Sequence, residues 1–546
     1  MAQPNIKEAL SLDNLHSLSE KVDIFSIAAS IVLLAFFVTS TVLAPVSTTN
    51  TLVHLRVVVV DSLGFYFILI VLACIFFNVY MGVSKYGMIR LGHGEPDFST
   101  FAWLSMIFSA AIGYSILYWS AIEWIYYIQA PPFGIAPLSA DAAEVAVAYS
   151  FFHWGIPAWA LSAVGVLPLA YRYYLRQKPG LTLEAACEGL IGEQRAPWVS
   201  KAFNVVFIFS ILGGLTISYG TGVPMIANNL ANTIGLPENF IVYAGLIVII
   251  TATFGFSAFI GLKKGLAAVS KGATYASFVL LFWFLISVCP GFILDNFIQS
   301  IGILCDKFVV MSTRLDPIRR EGFPQAWTCF YYAWWITLAP WMWVFVAKIS
   351  KGRSIRSVVA TVTLAGSAGS MLFLGTVSSY GLQRYLTGAL NAVQIMNVHG
   401  PNQTISEIVL SLPLGKLVLV LWVATAFARM VTTMDSAAYS LGASSTYGLR
   451  SFEDPNKYLR LFWAIMLSVC PLCLLYAGQF VKGGVSLAGL QALLVILAIP
   501  VSVVMIAAMY STIKWVHEDY GSMSRQEIET VFELKPVGQK SIYIKL

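Results

Sequence analysis

Long apolar runs separated by short polar connectors set the pattern of this chain. A helix that crosses a bilayer needs about 20 predominantly apolar residues. Runs of that order lie near 23–44, 63–83, 101–129, 146–174, 203–233, 240–260, 270–289, 327–349, 358–382, 416–442, 459–478 and 486–511. The pattern predicts twelve membrane-spanning helices and an all-α membrane protein. One stretch stands apart: the segment 292–308 carries Asp295, Asn296, Gln299, Asp306 and Lys307 among apolar residues at helical spacing. It is too polar to span and predicts an amphipathic helix lying along the membrane surface. Gly155 and Pro157 interrupt the fourth run and would free backbone carbonyls there.

Composition agrees. Apolar residues make up 58% of the chain and charged ones 11%, where a soluble domain carries about a quarter charged. No polar block of domain size divides the apolar runs, so residues 23–511 read as one transmembrane domain. The stretches 1–22 and 512–546 flank it as tails. The first tail mixes Lys7, Glu8, Asp13, Glu20 and Lys21 and does not resemble a cleaved leader. Basic residues crowd the loops after even-numbered spans (Lys85, Arg90, Arg172, Arg176, Lys178, Lys263, Lys264, Lys348, Lys351, Arg353), while 130–145 and 234–240 are nearly bare. That bias predicts cytoplasmic termini and a multi-pass protein of the plasma (inner) membrane. Lys307, Arg314, Arg319 and Arg320 break the bias but alternate with Asp306, Asp316 and Glu321. The net charge of +6 is spread over connectors, which argues against a nucleic-acid partner. Cys470 and Cys473 form a CxxC inside an apolar run with no second ligand pair, so packing rather than metal binding accounts for them. The string GLKKGLAAVSKG lacks the Lys-Ser/Thr ending of a phosphate loop. No nucleophile–base pair and no cofactor site is legible.

The aromatic residues change the picture. Residues 327–343 read WTCFYYAWWITLAPWMW. An interfacial belt explains Trp341 and Trp343 near the helix end. It explains less well Trp327, Tyr331, Tyr332, Trp334 and Trp335 on the interior turns. The other reading is a cage of electron-rich faces around a cation that cannot donate hydrogen bonds, worth about 0.5–2 kcal/mol per ring. The third span adds Tyr118, Trp119, Trp124, Tyr126 and Tyr127 with Glu123 among them, and the fourth adds His153, Trp154 and Trp159. Aromatics from three helices can converge on one cavity, or simply pack. The third and eighth spans are the richest in Trp and Tyr, a faint symmetry of the kind that inverted-repeat transporters show.

Intramembrane ionisable residues are functional candidates by default. Arg429, in the tenth span, costs at least ~2.5 kcal/mol to insert unpaired. It can pair with Asp435 or Glu123, snorkel to an interface, hold a substrate carboxylate or serve as a tethered cation. Thr216, Ser218 and Thr221 either line a pathway or permit close helix packing. Glu123 and Asp435 can act or merely anchor helices, and His153 is a proton-linked candidate or a core histidine. A membrane-embedded enzyme built on Glu123, His153 and Asp435 is the reading from another class, and a channel is a further rival.

Four strings carry a specific resemblance: YWSAIEWIYYIQAPPFG, AYSFFHWGIPAW, EGFPQAWTCFYYAWW and AKISKGRSIR, in that order. Over roughly residues 20–510 the chain resembles the betaine/carnitine/choline transporter family, most closely its carnitine/γ-butyrobetaine antiporter branch. The resemblance implies a five-plus-five inverted repeat (about 101–289 and 327–511), alternating access and a homotrimer centred on the 292–308 helix. It implies a quaternary-ammonium substrate (carnitine, γ-butyrobetaine or glycine betaine) held by Tyr126, Trp154, Trp334 and Trp335. Trp327 would belong to an outer, cytoplasm-side aromatic region, and Met342 would lie near the site. Departures are as telling. The family's glycine-rich break in the third span is here Ala111-Ile112-Gly113-Tyr114-Ser115, and Leu338 replaces a frequent aromatic. Tyr332 replaces a usual tryptophan. Ser115 stands where choline-specific relatives carry an aspartate, which argues against choline as the main substrate. Sodium-coupled relatives build a cation site from the third-span backbone and hydroxyls matching Thr432 and Thr433. Arg429 lies one turn before them and would replace that sodium ion, giving sodium-independent exchange. The antiporter branch uses an arginine at the position of Ala273. A sodium- or proton-coupled betaine symporter is the alternative within the family.

Overall fold

The computed structural model describes residues 21–194, 196–260, 265–450, 453–479 and 487–532, leaving aside the side chains of 112, 258–260, 477 and 487–490. Lys263, Lys264, residues 1–20 and residues 533–546 lie outside the described residues. The described residues form helices and connectors with two isolated β-bridges. Eleven helices are long and apolar enough to cross a membrane, and a bent pair makes the twelfth. In order they are Ile24–Leu43, Pro45–Val83, Thr100–Ile112 with Ser115–Gln129, Ala140–Leu175, Pro197–Ile234, Phe240–Ser257, Ala267–Ser287, Pro324–Ile349, Ile355–Leu386, Gly415–Ser444, Lys457–Tyr476 and Gln491–Tyr520. They are spans 1 to 12 below.

The pairing of the spans repeats. Span 3 packs on spans 7 and 10, and span 8 packs on spans 12 and 5. Span 10 takes spans 6 and 7, as span 5 takes spans 11 and 12. Spans 4 and 9, 5 and 10, and 6 and 11 meet each other. Exchanging each span n of the first set with n + 5 of the second maps these pairings onto themselves. Five crossings separate the partners, so each runs opposite to its counterpart. The arrangement is a five-plus-five inverted repeat.

Two expected edges move. Span 2 begins at Pro45, directly after Ala44 ends span 1, and not at 63. Its first turns carry Ser47, Thr48, Asn50, His54, Arg56 and Asp61, which break the apolar run without breaking the helix. Span 12 continues to Tyr520, into the stretch assigned to the tail. There Arg176 at the end of span 4 meets Asp519 at 2.9 Å and Glu518 at 2.7 Å. The amphipathic helix runs Pro290–Thr313 and buries Ile293, Asn296, Ser300, Leu304 and Met311 on one face.

Span 8 is buried from Thr328 to Ala347. Small residues let its bulky ones in: the Trp343 ring rests where Gly165 of span 4 has no Cβ, and Trp159 rests likewise on Gly366 of span 9. Trp343 is fully buried and donates to the Leu161 carbonyl at 2.9 Å, so it packs the core and is no interfacial belt.

Span 3 breaks at Gly113, where its halves meet at 57°. Gly113 has φ +54°, and a Cβ there would collide with the Thr433 hydroxyl of span 10. That hydroxyl faces the carbonyls of Ser109 at 3.2 Å and Ala110 at 3.3 Å, which would otherwise lack partners at the break. The single glycine therefore suffices for a break. Gly113→Ala is expected to lower the thermal midpoint of the purified protein. Adding Thr433→Ala should not restore it fully, because the backbone penalty at positive φ stays; full restoration would show that the collision alone matters.

Candidate functional site

A small cavity opens at this break. One wall is aromatic: Trp154 of span 4 and Trp334, Trp335 and Trp341 of span 8, with Leu338 between. Trp154 stands edge-on to Trp334 (centroids 6.0 Å apart, 83°) and to Trp335 (5.4 Å, 86°), while Trp334 and Trp335 stack at 5.8 Å. The facing wall carries the hydroxyl residues Tyr114, Ser115, Ser218 and Thr433, beside Ala111 and Gly113. The half-helix Ser115–Gln129 starts here and turns its positive end to the cavity. Gly222 of span 5 leaves room for the Tyr114 ring, and the Tyr114 hydroxyl bonds Thr221. No acidic, basic or histidine side chain lines the cavity among the described residues.

Helical spacing explains the aromatic wall. Trp327, Tyr331, Trp334, Leu338 and Trp341 follow the i, i+4, i+7 stripe of one helix face. Trp341 belongs to the cavity and not to a membrane belt. The stripe could have placed it there from the sequence; its nearness to the helix end pointed elsewhere.

Behind the wall, buried Glu123 accepts hydrogen bonds from Trp154 Nε1 at 2.6 Å, Tyr331 Oη at 2.7 Å and Tyr127 Oη at 2.6 Å. His153 extends the network through Nδ1 to Tyr127 at 2.7 Å and Nε2 to Thr328 at 3.1 Å. A carboxylate with three donors fixes the rings it holds, since charge-assisted bonds are roughly twice as strong as neutral ones. Glu123 thus positions Trp154 and Tyr331 from outside the cavity.

The expected four-ring cage is only partly assembled. Trp154, Trp334 and Trp335 converge, but Tyr126 lies in a second cluster with Trp327 at 5.3 Å and Trp119 at 6.3 Å. Tyr331 links the two tiers, 6.2 Å from Trp327 and 5.7 Å from Trp334. Trp327 sits at the opposite end of span 8 from Lys348, beside the loop where Arg319 donates to the Phe133 carbonyl. That end carries the loop 130–145, away from the basic loop that follows span 8. Met342 is buried next to Trp341 but does not line the cavity. Thr432 turns its hydroxyl back to the Arg429 carbonyl at 2.8 Å, and only Thr433 reaches the cavity. Of the span 5 hydroxyls, Ser218 lines the wall, Thr221 meets Tyr114, and Thr216 bonds the Leu212 carbonyl.

Arg429 is fully buried. Its guanidinium lies between the Phe108 ring at 5.1 Å and the Phe373 ring at 5.3 Å, and donates to Ser277 Oγ at 2.6 and 3.1 Å. Ser277 in turn donates to the Ala273 carbonyl at 2.7 Å, so the guanidinium sits one turn from Ala273 on span 7. Among the described residues no carboxylate pairs with it. Asp435 is taken by Arg460 at 2.9 Å and Ser257 at 2.6 Å, and Glu123 by the aromatic donors. The ion-pair reading of Arg429 is therefore set aside, and so is direct capture of a substrate carboxylate, because Arg429 does not line the cavity.

Comparison with known proteins decides the family. The description "BCCT, betaine/carnitine/choline family transporter" matches residues 24–521. The chain belongs to the betaine/carnitine/choline transporter family. Within that family it is 32% identical to the carnitine transporter of Acinetobacter baumannii, over 83% of this chain and 82% of the relative. It is 30% identical to the glycine betaine transporter OpuD of Bacillus subtilis, over 90% and 93%. An uncharacterized transporter, YeaV, of Escherichia coli K12 is 35% identical over 84% and 94%. This family member is a transporter of betaine- and carnitine-type solutes, not a membrane-embedded enzyme. Glu123→Gln keeps the size of the side chain and removes its charge. It should weaken binding of the family's named solutes roughly tenfold in a tryptophan-fluorescence titration. Unchanged affinity would reduce Glu123 to a packing residue.

Proposed function

We propose that this transporter exchanges quaternary-ammonium solutes (carnitine, γ-butyrobetaine or glycine betaine) across the plasma membrane by alternating access, without sodium. The observation that carries the solute class is the meeting of Trp154, Trp334 and Trp335 at one cavity, backed by a carboxylate they do not expose. Faces of three indoles attract an alkylated cation by about 0.5–2 kcal/mol each. Arg429 supports the exchange reading. It brings a permanent positive charge one turn from Thr433, where the hydroxyl and the Ser109 and Ala110 carbonyls gather. It reaches span 7 beside Ala273, so a cation from span 10 does the work that the antiporter branch assigns to span 7. The same oxygen atoms favour the second reading, a sodium-coupled symporter, since hard cations take such donors. We also read the Pro290–Thr313 helix as the contact of a homotrimer, and both termini as cytoplasmic.

Uptake of labelled carnitine and glycine betaine into proteoliposomes tests the reading. Uptake that needs internal solute and ignores sodium is expected; strict sodium dependence would make the protein a symporter. Arg429→Ala should cut sodium-free exchange at least tenfold, with partial recovery on adding sodium. Exchange that survives the substitution intact would remove Arg429 from the mechanism.

A further inference from the structure

Buried donors without partners gather beside Arg429, outside the cavity. Nε and Nη2 of its guanidinium are spent on Ser277. Nη1 has no acceptor among the described residues, although Arg429 is wholly buried. The hydroxyls of Ser105 and Ser109 on span 3 are buried and lack partners too. Ser109 is close by: it follows Phe108, whose ring covers the guanidinium, and its carbonyl shares the Thr433 hydroxyl with the Arg429 carbonyl. Ser105 lies one turn before Ser109 on the same helix face. Spans 3, 7 and 10 pack on one another here. Unsatisfied buried polar groups are few in native proteins, and each calls for an explanation. The charge calls for one as well, since buried charges are paired. Two phenylalanine rings and a serine surround this one without neutralising it.

We propose that Arg429 Nη1 and the hydroxyls of Ser109 and Ser105 bind a chloride ion. The ion supplies the counter-charge that no side chain supplies, and it ties span 10 to the first half of span 3. A chloride accepts N–H and O–H bonds from any direction, and serine hydrogens turn to meet it. That suits donors offered from two helices. Water satisfies the same donors but leaves the charge uncompensated. A solute carboxylate does not reach them, because Arg429 does not line the cavity. The inference goes beyond the exchange reading: it concerns the protein with no solute bound, and it applies to an exchanger and a symporter alike.

The test follows the thermal midpoint of the detergent-purified full chain, without solute, as chloride replaces gluconate at constant ionic strength. Wild type is expected to gain several degrees along a saturating curve, because a ligand of the native state stabilises it. Bromide should do the same. Arg429→Met keeps the length of the side chain and removes its charge, and it should melt alike in both salts. Ser105→Ala combined with Ser109→Ala should raise the chloride concentration at half effect roughly tenfold. A wild type indifferent to chloride would overturn the proposal, and so would a chloride response that survives Arg429→Met. Where Arg429→Met does not fold, the serine pair decides: a raised half-point supports the site, and an unmoved one overturns it. None of these readings depends on transport, so failure of the exchange reading is scored separately by the uptake assay.

Discussion

A peptide group that leaves its helix inside a membrane has no water to turn to, and satisfying it from within the protein shapes this fold. Span 3 breaks at Gly113 only because span 10 supplies a hydroxyl, Thr433, to the carbonyls that the break releases. The break in turn demands that the surrounding helices enclose it, which places it against spans 4, 5, 8 and 10 and away from lipid. The cavity is the space left by that bend. Its hydroxyl wall, its glycine and the helix end at Ser115 all follow from one interrupted helix.

The other wall depends on a charge. Glu123 gathers donors from its own span, span 4 and span 8, and so ties the aromatic residues of three helices to one point. Burying a lone carboxylate is costly, and three short hydrogen bonds offset that cost. In the second half of the molecule the buried charges are disposed differently. Asp435 meets Arg460 directly, and Arg429 rests between phenylalanine rings with a serine for its partner. The inverted repeat is thus a symmetry of helices and not of their chemistry: both halves line the cavity, and the second also carries the buried cation Arg429.

Much of the fold was legible because hydropathy in windows of about 20 residues responds to the same requirement that builds the spans. It failed where a helix continues through polar residues, as from Pro45 to Asp61. Hydropathy reports what lipid touches, and helix continuity is a matter of backbone bonding. Trp154, Trp334 and Trp335 could be read through the family resemblance that their strings carry. The grouping of Tyr126 with Trp327 could not, because it depends on how spans 3 and 8 cross. The partner of Asp435 lay 25 positions away, beyond any local pattern. One signal was available: Arg429 and Asp435 are six residues apart, which sets them on different faces of a helix.

Keeping every formal charge out of the cavity wall has a consequence for the ions that crowd any cell. Potassium, sodium and ammonium hold their hydration shells through strong dipoles, and a wall of indole faces and a few hydroxyls replaces little of what they would lose on entering. A tetraalkylated nitrogen spreads its charge over methyl groups and surrenders far less water for the same electrostatic gain. The cavity can therefore reject abundant small cations by the cost of drying them, with no steric filter.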